Sequence, residues 1–125
     1  MDYFLFLDDI RDFNQVKFPI PKPNNVKTAR NYMDFCSILD RDGTPSVVSF
    51  DFDLTDEHYI KFNDTQKGYN PYLFKDKCGL HCADYLIKHV QEKHTTFPVF
   101  FCHSANPIGK KLILDKLKNV KLAIK

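Results

Sequence analysis

Long hydrophobic runs and a strong net charge are both missing from this 125-residue chain. No stretch approaches the roughly 18 consecutive apolar residues of a membrane-spanning helix, so we expect no membrane span. The net charge of +2 is not typical of proteins that coat DNA or RNA generically, although small phosphate-bearing ligands remain possible. The opening segment MDYFLFLDDIR is too short and too acidic for a signal peptide, which predicts a cytoplasmic protein.

The sequence also lacks a second cysteine or histidine pair at zinc-finger spacing. The segment CGLHC contains Cys78, His81 and Cys82, but only Cys102 and His103 follow it, much further along the chain. Cys82 can pack inside a helix without any metal. Without a secretion signal, the four cysteines are predicted to be reduced thiols. They are Cys36, Cys78, Cys82 and Cys102.

Four apolar segments are predicted to be buried strands. Hydrophobic residues make up 43% of the chain, enough for the core of one domain spanning residues 1–125. The segments are YFLFL (3–7), SVVSF (46–50), FPVFF (97–101) and VKLAI (120–124). A shorter strand is predicted at Val26–Ala29. Most of these runs are continuously apolar rather than alternating, which indicates a parallel sheet covered on both faces.

Helical patterns lie between these strands. RNYMDFCSILDRDG carries an apolar stripe at helical spacing and ends at Gly43, and LHCADYLIKHVQEKH repeats the pattern. In NPIGKKLILDKLKN, Asn106 suits an N-cap and Pro107 the first helical position. The alternation predicts an α/β fold: a single three-layer domain with a five-stranded parallel sheet of order 2-1-3-4-5. The chain stops directly after the fifth predicted strand, without a final helix.

Two long connections leave the carboxyl ends of predicted strands, where ligands of such sheets bind. One runs from Asp8 to about Asn25. The other, residues 54–78, is predicted to be a rim loop or an insertion. Loops this long in a compact domain are usually functional or disordered. The second could stack a base, since it contains Tyr59, Phe62, Tyr69, Tyr72 and Phe74.

Three polar clusters follow the predicted strands and should meet at one edge of the sheet. They are Asp8, Asp9 and Arg11 after the first strand, Asp51 and Asp53 after the third, and His103, Ser104 and Asn106 after the fourth. At ~4 Å and an effective dielectric near 20, each like-charged pair costs on the order of 4 kcal/mol. A bound cation relieves this repulsion, and oxygen ligands suit Mg²⁺.

The four aspartates therefore predict a site for Mg²⁺ or Mn²⁺. The alternative is that individual aspartates cap turns or helices and face water. His103 titrates near neutral pH and suits general acid or base chemistry on a phosphoester, although a histidine at a strand end is often only a hydrogen-bonded core group. Ser104 and Asn106 precede a helix N-terminus, which favours an anion. Gly109 keeps its first turn slim and Lys110 adds positive charge, while capping by Asn106 needs no ligand.

The chain resembles the cyclic-phosphate processing receiver-like family. The resemblance rests on FLDDIR, VKTARNYMDF, SFDFDL, CGLHCADYLI and HSANPIGKKL, which occur in the expected order. It implies a receiver-like fold, a phage or bacterial source, and action on nucleotide, RNA or ADP-ribose cyclic phosphates. Phe52 stands where the family often has His, and Cys78-Gly79 where it often has Thr-Gly. Its polar positions fall on Asp8, Asp9, Arg11, Arg30, Asp51, Asp53, His103, Ser104, Asn106 and Gly109.

The leading hypothesis is a metal-assisted phosphoesterase, a hydrolase that opens a cyclic phosphate on a nucleotide, an RNA end or an ADP-ribose derivative. Asp51, Asp53 and His103 would be catalytic. Phosphate would be held by Arg11, Arg30, Ser104, Asn106, Gly109 and Lys110.

Three alternatives remain open. The first is a module that binds a cyclic or phosphorylated nucleotide without turnover. The second is a signalling receiver in which Asp51 or Asp53 accepts a phosphoryl group, although the Lys-Pro pair and final helix of such receivers are missing. The third is a haloacid-dehalogenase-type phosphatase, whose Asp-x-Asp motif normally follows the first strand rather than the third.

Overall fold

The computed structural model describes residues 2–54 and 77–124 of the chain. These residues form four strands, β1 (Phe4–Leu7), β2 (Val26–Ala29), β3 (Val47–Phe50) and β4 (Val99–Cys102). They also form three α-helices, α1 (Tyr32–Asp42), α2 (Gly79–Lys93) and α3 (Pro107–Ile124), and a short 3-10 turn at Phe13–Gln15. None of the described helices is long and apolar enough to cross a membrane.

The four strands form one parallel sheet of order β2-β1-β3-β4. In the centre of the sheet Phe6 is paired with Thr28 on one side and Ser49 on the other, and Ser49 is paired in turn with Phe101. The α/β class, the parallel pairing and the first four places of the predicted order are confirmed. The strand predicted at Val26–Ala29 is found at those residues.

The predicted fifth strand is wrong. Residues 120–124 continue α3, which begins at Pro107 and runs to Ile124. Ile113, Leu117 and Val120 lie at helical spacing, and all three pack against the core. Because no Gly or Pro separates Leu117 from Val120, nothing in the sequence ends the helix there, and the short apolar run simply extends its buried stripe.

Capping residues set both ends of α1 and the start of α3. The Asn31 side chain accepts a hydrogen bond from the Asp34 N–H (2.8 Å) and starts α1. Gly43 ends it with a φ of 82°, a left-handed conformation that glycine adopts without a steric penalty. At α3, the Asn106 side chain accepts a hydrogen bond from the Gly109 N–H (3.0 Å). The helix end predicted at Gly43 and the N-cap predicted at Asn106 are therefore both present.

The two faces of the sheet are covered differently. Side chains from all three helices share one buried cluster with Leu5, Leu7, Val48 and Phe50. On the opposite face, the rings of Phe4 and Phe6 pack against Phe13 and Phe18, from the connection after β1. Within the described residues, the third layer of the predicted three-layer domain is therefore this aromatic segment rather than a helix. Most of the predicted 54–78 loop, including its five aromatic residues, lies outside those residues.

Candidate metal and phosphate site

Three aspartates converge where β1 and β3 end. Backbone hydrogen bonds continue the strand pairing past both ends, since the Asp8 N–H donates to Ala29 and the Asp51 N–H to Leu7. Asp8, Asp9 and Asp51 each place a carboxylate oxygen within 4.8 Å of the others. Together with Asp53 they line a pocket of about 220 Å³. The parallel topology thus brings together acids that are more than forty residues apart in the chain.

Asp8 is the most tightly held acid of the cluster. Its Oδ1 accepts from the backbone N–H groups of Ile10 and Arg11, both at 2.9 Å. Its Oδ2 lies 2.9 Å from Arg11 Nε and 3.0 Å from His103 Nε2. Burial alone would raise the pKa of this carboxyl, but the two backbone donors, the Arg11 charge and His103 lower it overall. Four donors use all the acceptor positions of a carboxylate, so Asp8 is ionised and already satisfied.

Asp9 and Asp51 lie in a different electrostatic environment. Burial, reinforced by the charges of Asp8 and Asp9, raises the pKa of Asp51 to about 7. Burial and the neighbouring Asp8 charge also raise the pKa of Asp9, whose side chain is hydrogen-bonded to Asp51. Asp9 Oδ1 is buried, and no described residue donates a hydrogen bond to it. Two adjacent acids with raised pKa values and an unsatisfied oxygen are what a cation would relieve.

These residues fit a divalent cation. The donor set consists entirely of carboxylate oxygens, the ligand type that Mg²⁺ and Mn²⁺ accept. Asp9 and Asp51 offer the open positions, whereas Asp8 is occupied by its four donors. Asp53 lies in the same pocket but not in the group of three that could share one ion. The Asn106 amide nitrogen is one of its contacts, 3.4 Å from Asp53 Oδ2.

His103 has a partner at each ring nitrogen and lies against two aromatic rings. Its side chain is only 4% exposed, with Nδ1 2.6 Å from Ser49 Oγ and Nε2 3.0 Å from Asp8 Oδ2. The ring stacks on Phe6 at a centroid distance of 4.7 Å, and Phe18 packs against it edge-on. Burial lowers the pKa of His103 to about 4, an effect that Asp8 only partly offsets. The ring is therefore neutral at pH 7, and its contact with Asp8 is a hydrogen bond rather than an ion pair.

The two arginines expected to hold phosphate are engaged with the protein. Arg11 donates through Nε to Asp8 and through Nη2 to the His103 carbonyl (3.0 Å). Arg30 donates through Nη1 to the carbonyls of Asp8 and Arg11, and its Nη2 lies 2.6 Å from Asp12 Oδ1. Arg30 thus braces the segment after β1. Arg11 lines the pocket and is the better placed of the two to meet a ligand.

The residues that follow β4 build the N-terminus of α3. The Ser104 hydroxyl accepts from the Asn106 N–H (3.1 Å), and Asn106 caps the helix. Both side chains are buried, whereas Lys110 is exposed. Capping therefore accounts for Ser104 and Asn106, while Asn106 also links the helix terminus to Asp53.

Two glycines allow the helices to approach the end of β3. A Cβ on Gly109 would overlap the ring of Phe52, which is fully buried between the two acids of the Asp-x-Asp motif. A Cβ on Gly79, the first residue of α2, would overlap the carbonyl oxygen of Asp51. Gly109 was predicted as part of a phosphate cradle, and the structure gives it this packing role. Gly79 was not predicted as a site residue, although its position opening a helix was a usable signal.

The fold and the acid cluster together define a receiver-like α/β domain with a candidate cation site at the carboxyl end of its sheet. A family model described as the cyclic-phosphate processing receiver domain matches residues 3–119. The chain belongs to this family, and the resemblance drawn from its motifs is confirmed. No curated protein and no solved structure matches the chain.

Proposed function

We propose that this protein is a metal-assisted phosphoesterase that opens a cyclic phosphate on a nucleotide, an RNA end or an ADP-ribose derivative. The observation that carries the proposal is the cluster of Asp8, Asp9 and Asp51, in which one buried carboxylate oxygen has no donor among the described residues. The family description, cyclic-phosphate processing, supports the substrate class.

Asp9 and Asp51 would hold a Mg²⁺ or Mn²⁺ ion directly, with Asp8 beside them. Such a cation supplies neutralisation of phosphoryl charge and activation of water. The pocket that these acids line has a volume of about 220 Å³. Arg11, which lines the pocket, would orient the phosphate together with the N-terminus of α3.

The reaction adds one water across one ester bond. The water oxygen forms a bond to phosphorus, the bond from phosphorus to one ribose oxygen breaks, and a proton from the water ends on that ribose oxygen. We assign the movement of this proton to Asp53, because it lines the pocket outside the group of three and its contacts with the Asn106 amide are long, at 3.4 and 3.5 Å. The geometry gives less support to proton transfer by His103, since both of its ring nitrogens already have partners.

Binding without turnover is the second candidate. The enclosure of His103 favours it, because a site with no freely accessible histidine has one proton-transfer group fewer. A binder would keep the cation and the phosphate contacts, so only the fate of the ligand distinguishes the two.

Phosphorus NMR tests the proposal. Purified protein with Mg²⁺ would be mixed with 2′,3′-cyclic nucleotides, short RNA with cyclic ends, and ADP-ribose cyclic phosphate, each repeated with EDTA. We expect one cyclic-phosphate resonance to be replaced by that of a monoester, with EDTA blocking the change. A ligand whose resonance broadens but never converts would contradict turnover and favour the binding module.

A variant pair locates the chemistry. Asp53→Asn should lower turnover by roughly 100-fold while Mg²⁺ still binds. Asp115→Asn is the matched control, because Asp115 is exposed on α3 and pairs only with Lys111 among the contacts described for it. Equal turnover in wild type and Asp53→Asn would remove Asp53 from the proposed reaction.

A further inference from the structure

Strand β3 contains a buried serine, Ser49, that does not line the acid pocket. The Ser49 side chain is fully buried between Val48 and Phe50. Burying a hydroxyl without a partner destabilises a protein. Ser49 Oγ has a partner, since it lies 2.6 Å from Nδ1 of His103, the ring whose other nitrogen contacts Asp8.

Ser49, His103 and Asp8 form a row of two hydrogen bonds, and the Asp8 carboxylate determines the direction of both. Asp8 Oδ2 is a carboxylate oxygen and can only accept, so the proton between it and the ring belongs to His103 Nε2. In a neutral ring, Nδ1 is then an acceptor, and the Ser49 hydroxyl must donate to it. Ser49 therefore stabilises the one tautomer that directs an N–H at Asp8.

We propose that Ser49 is a positioning residue for the cation site, acting through His103 and Asp8. A donor to the free nitrogen of a histidine fixes both its tautomer and its ring orientation, as outer partners do in metal sites generally. Phe6 stacks on the ring and restricts its tilt. The inference rests on the proposed function, because it takes Asp9 as a cation ligand.

The effect reaches Asp9 through the turn after β1. Oδ2 of Asp8 is held by the ring, while Oδ1 accepts from the backbone N–H groups of Ile10 and Arg11. These two bonds close the turn in which Asp9 is the second residue, so the orientation of the Asp8 carboxylate sets where Asp9 lies. Three hydrogen-bonded steps thus connect a buried strand residue to the open cation ligand.

The test measures Mn²⁺ affinity from the EPR signal of free Mn²⁺ at pH 8. Ser49→Ala should bind Mn²⁺ about 10-fold more weakly than wild type. Ser49→Thr keeps the hydroxyl and should recover most of the affinity. Ser46→Ala is the matched control and should bind as wild type does, since Ser46 directly precedes β3 and its hydroxyl contacts the Tyr3 carbonyl, away from His103.

A second measurement uses the unmodified protein. Long-range ¹H–¹⁵N correlations of the histidine rings report the tautomer of each, and His103 should carry its proton on Nε2. Mn²⁺ affinity unchanged in a folded Ser49→Ala, or a proton on Nδ1 in wild type, would overturn the inference. Mn²⁺ binding without turnover of any cyclic phosphate would overturn the phosphoesterase but leave this test intact. Wild type that binds no Mn²⁺ would overturn both.

Discussion

At the amino end of the sheet Asp42 lies beside two cations, whereas at the carboxyl end Asp9 and Asp51 lie beside other carboxylates. Asp42 Oδ2 is 2.7 Å from Lys27 Nζ and 2.9 Å from Arg41 Nη2. Hydrogen bonds from Arg41 and Lys27 lower the pKa of Asp42 to about 2. Burial and like charges raise the pKa of Asp51 to about 7. One end of the molecule neutralises its acid internally, and the other leaves acids for something else to neutralise.

The larger cavity lies at the amino end of the sheet, away from the acids with raised pKa values. A pocket of about 540 Å³ lies at the amino end, between the segment before β3 and the segment before β4. The carboxyl-end pocket is less than half as large, at about 220 Å³. Among the described residues, threonines and prolines line the larger space, and no buried cluster of charges lies in it. The proposed site therefore rests on its perturbed carboxylates and not on cavity volume.

The largest difference between the two ends should appear in turnover. Asp9→Asn and Asp51→Asn each remove a proposed cation ligand, and each should lower hydrolysis of the substrate identified by phosphorus NMR at least ~100-fold. Asp42→Asn makes the same chemical change at the amino end and should leave turnover within about 2-fold of wild type, because Asp42 has its own cations. A comparable loss of turnover in all three variants would contradict a specific role for the carboxyl-end acids.

Replacing a glycine with alanine should destabilise the protein more at the carboxyl end of the sheet than at the amino end. Gly109→Ala forces a Cβ into the ring of Phe52 and should destabilise the protein by about 2–3 kcal/mol, the cost of overpacking a core. At the amino end, a Cβ on Gly43 would have no atom within 4 Å, so Gly43→Ala meets only the strain of its positive φ, about 1 kcal/mol. Urea unfolding of both variants measures the difference. Equal losses would mean that packing around Phe52 can relax.

The smallest expected effect is a pH dependence of stabilisation by Mg²⁺. The raised pKa of Asp51 means that proton binding stabilises the metal-free fold below about pH 4, and that this contribution is lost as pH rises through about 7. Mg²⁺ replaces the proton, so it should raise the melting temperature by several degrees at pH 8 and by little at pH 5.5.

Asp42→Asn separates this effect from a general response to pH. Asp42 is ionised throughout that range, since its pKa is about 2. The variant should therefore keep the same dependence of Mg²⁺ stabilisation on pH as wild type. If Mg²⁺ raised the melting temperature of wild type equally at pH 5.5 and pH 8, Asp51 would not be a ligand of the cation.

Most of the fold could be predicted because local patterns and topology agreed. Apolar runs of strand length, separated by helical stripes, require a parallel sheet, and that sheet requires Asp8 and Asp51 to be neighbours. Residues 120–124 misled the prediction because a five-residue apolar run fits a strand or the end of a helix equally well. Only the stripe shared with Ile113 and Leu117 decides between them.

The parts of the site that depend on side-chain direction could not be predicted. Arg11 and Arg30 are cations near a phosphate motif in the sequence, but the path of the segment after β1 determines that they brace backbone carbonyls and Asp8. His103 looks accessible in the sequence, and the aromatic rings that enclose it come from distant segments. Ser49 is a single polar residue in an apolar strand, and nothing local indicates its partner.

The most direct test of the account is a calorimetric titration of Mg²⁺ at pH 8 into wild type and Asp51→Asn, paired with urea unfolding of both proteins without metal. Wild type should bind Mg²⁺, and Asp51→Asn should bind it at least ~10-fold more weakly, because it has lost a charged ligand. The metal-free variant should nevertheless be more stable than wild type by on the order of 1–4 kcal/mol, since it no longer buries a carboxylate among carboxylates. Wild type that binds no Mg²⁺, or a variant that binds it equally well, would contradict the account.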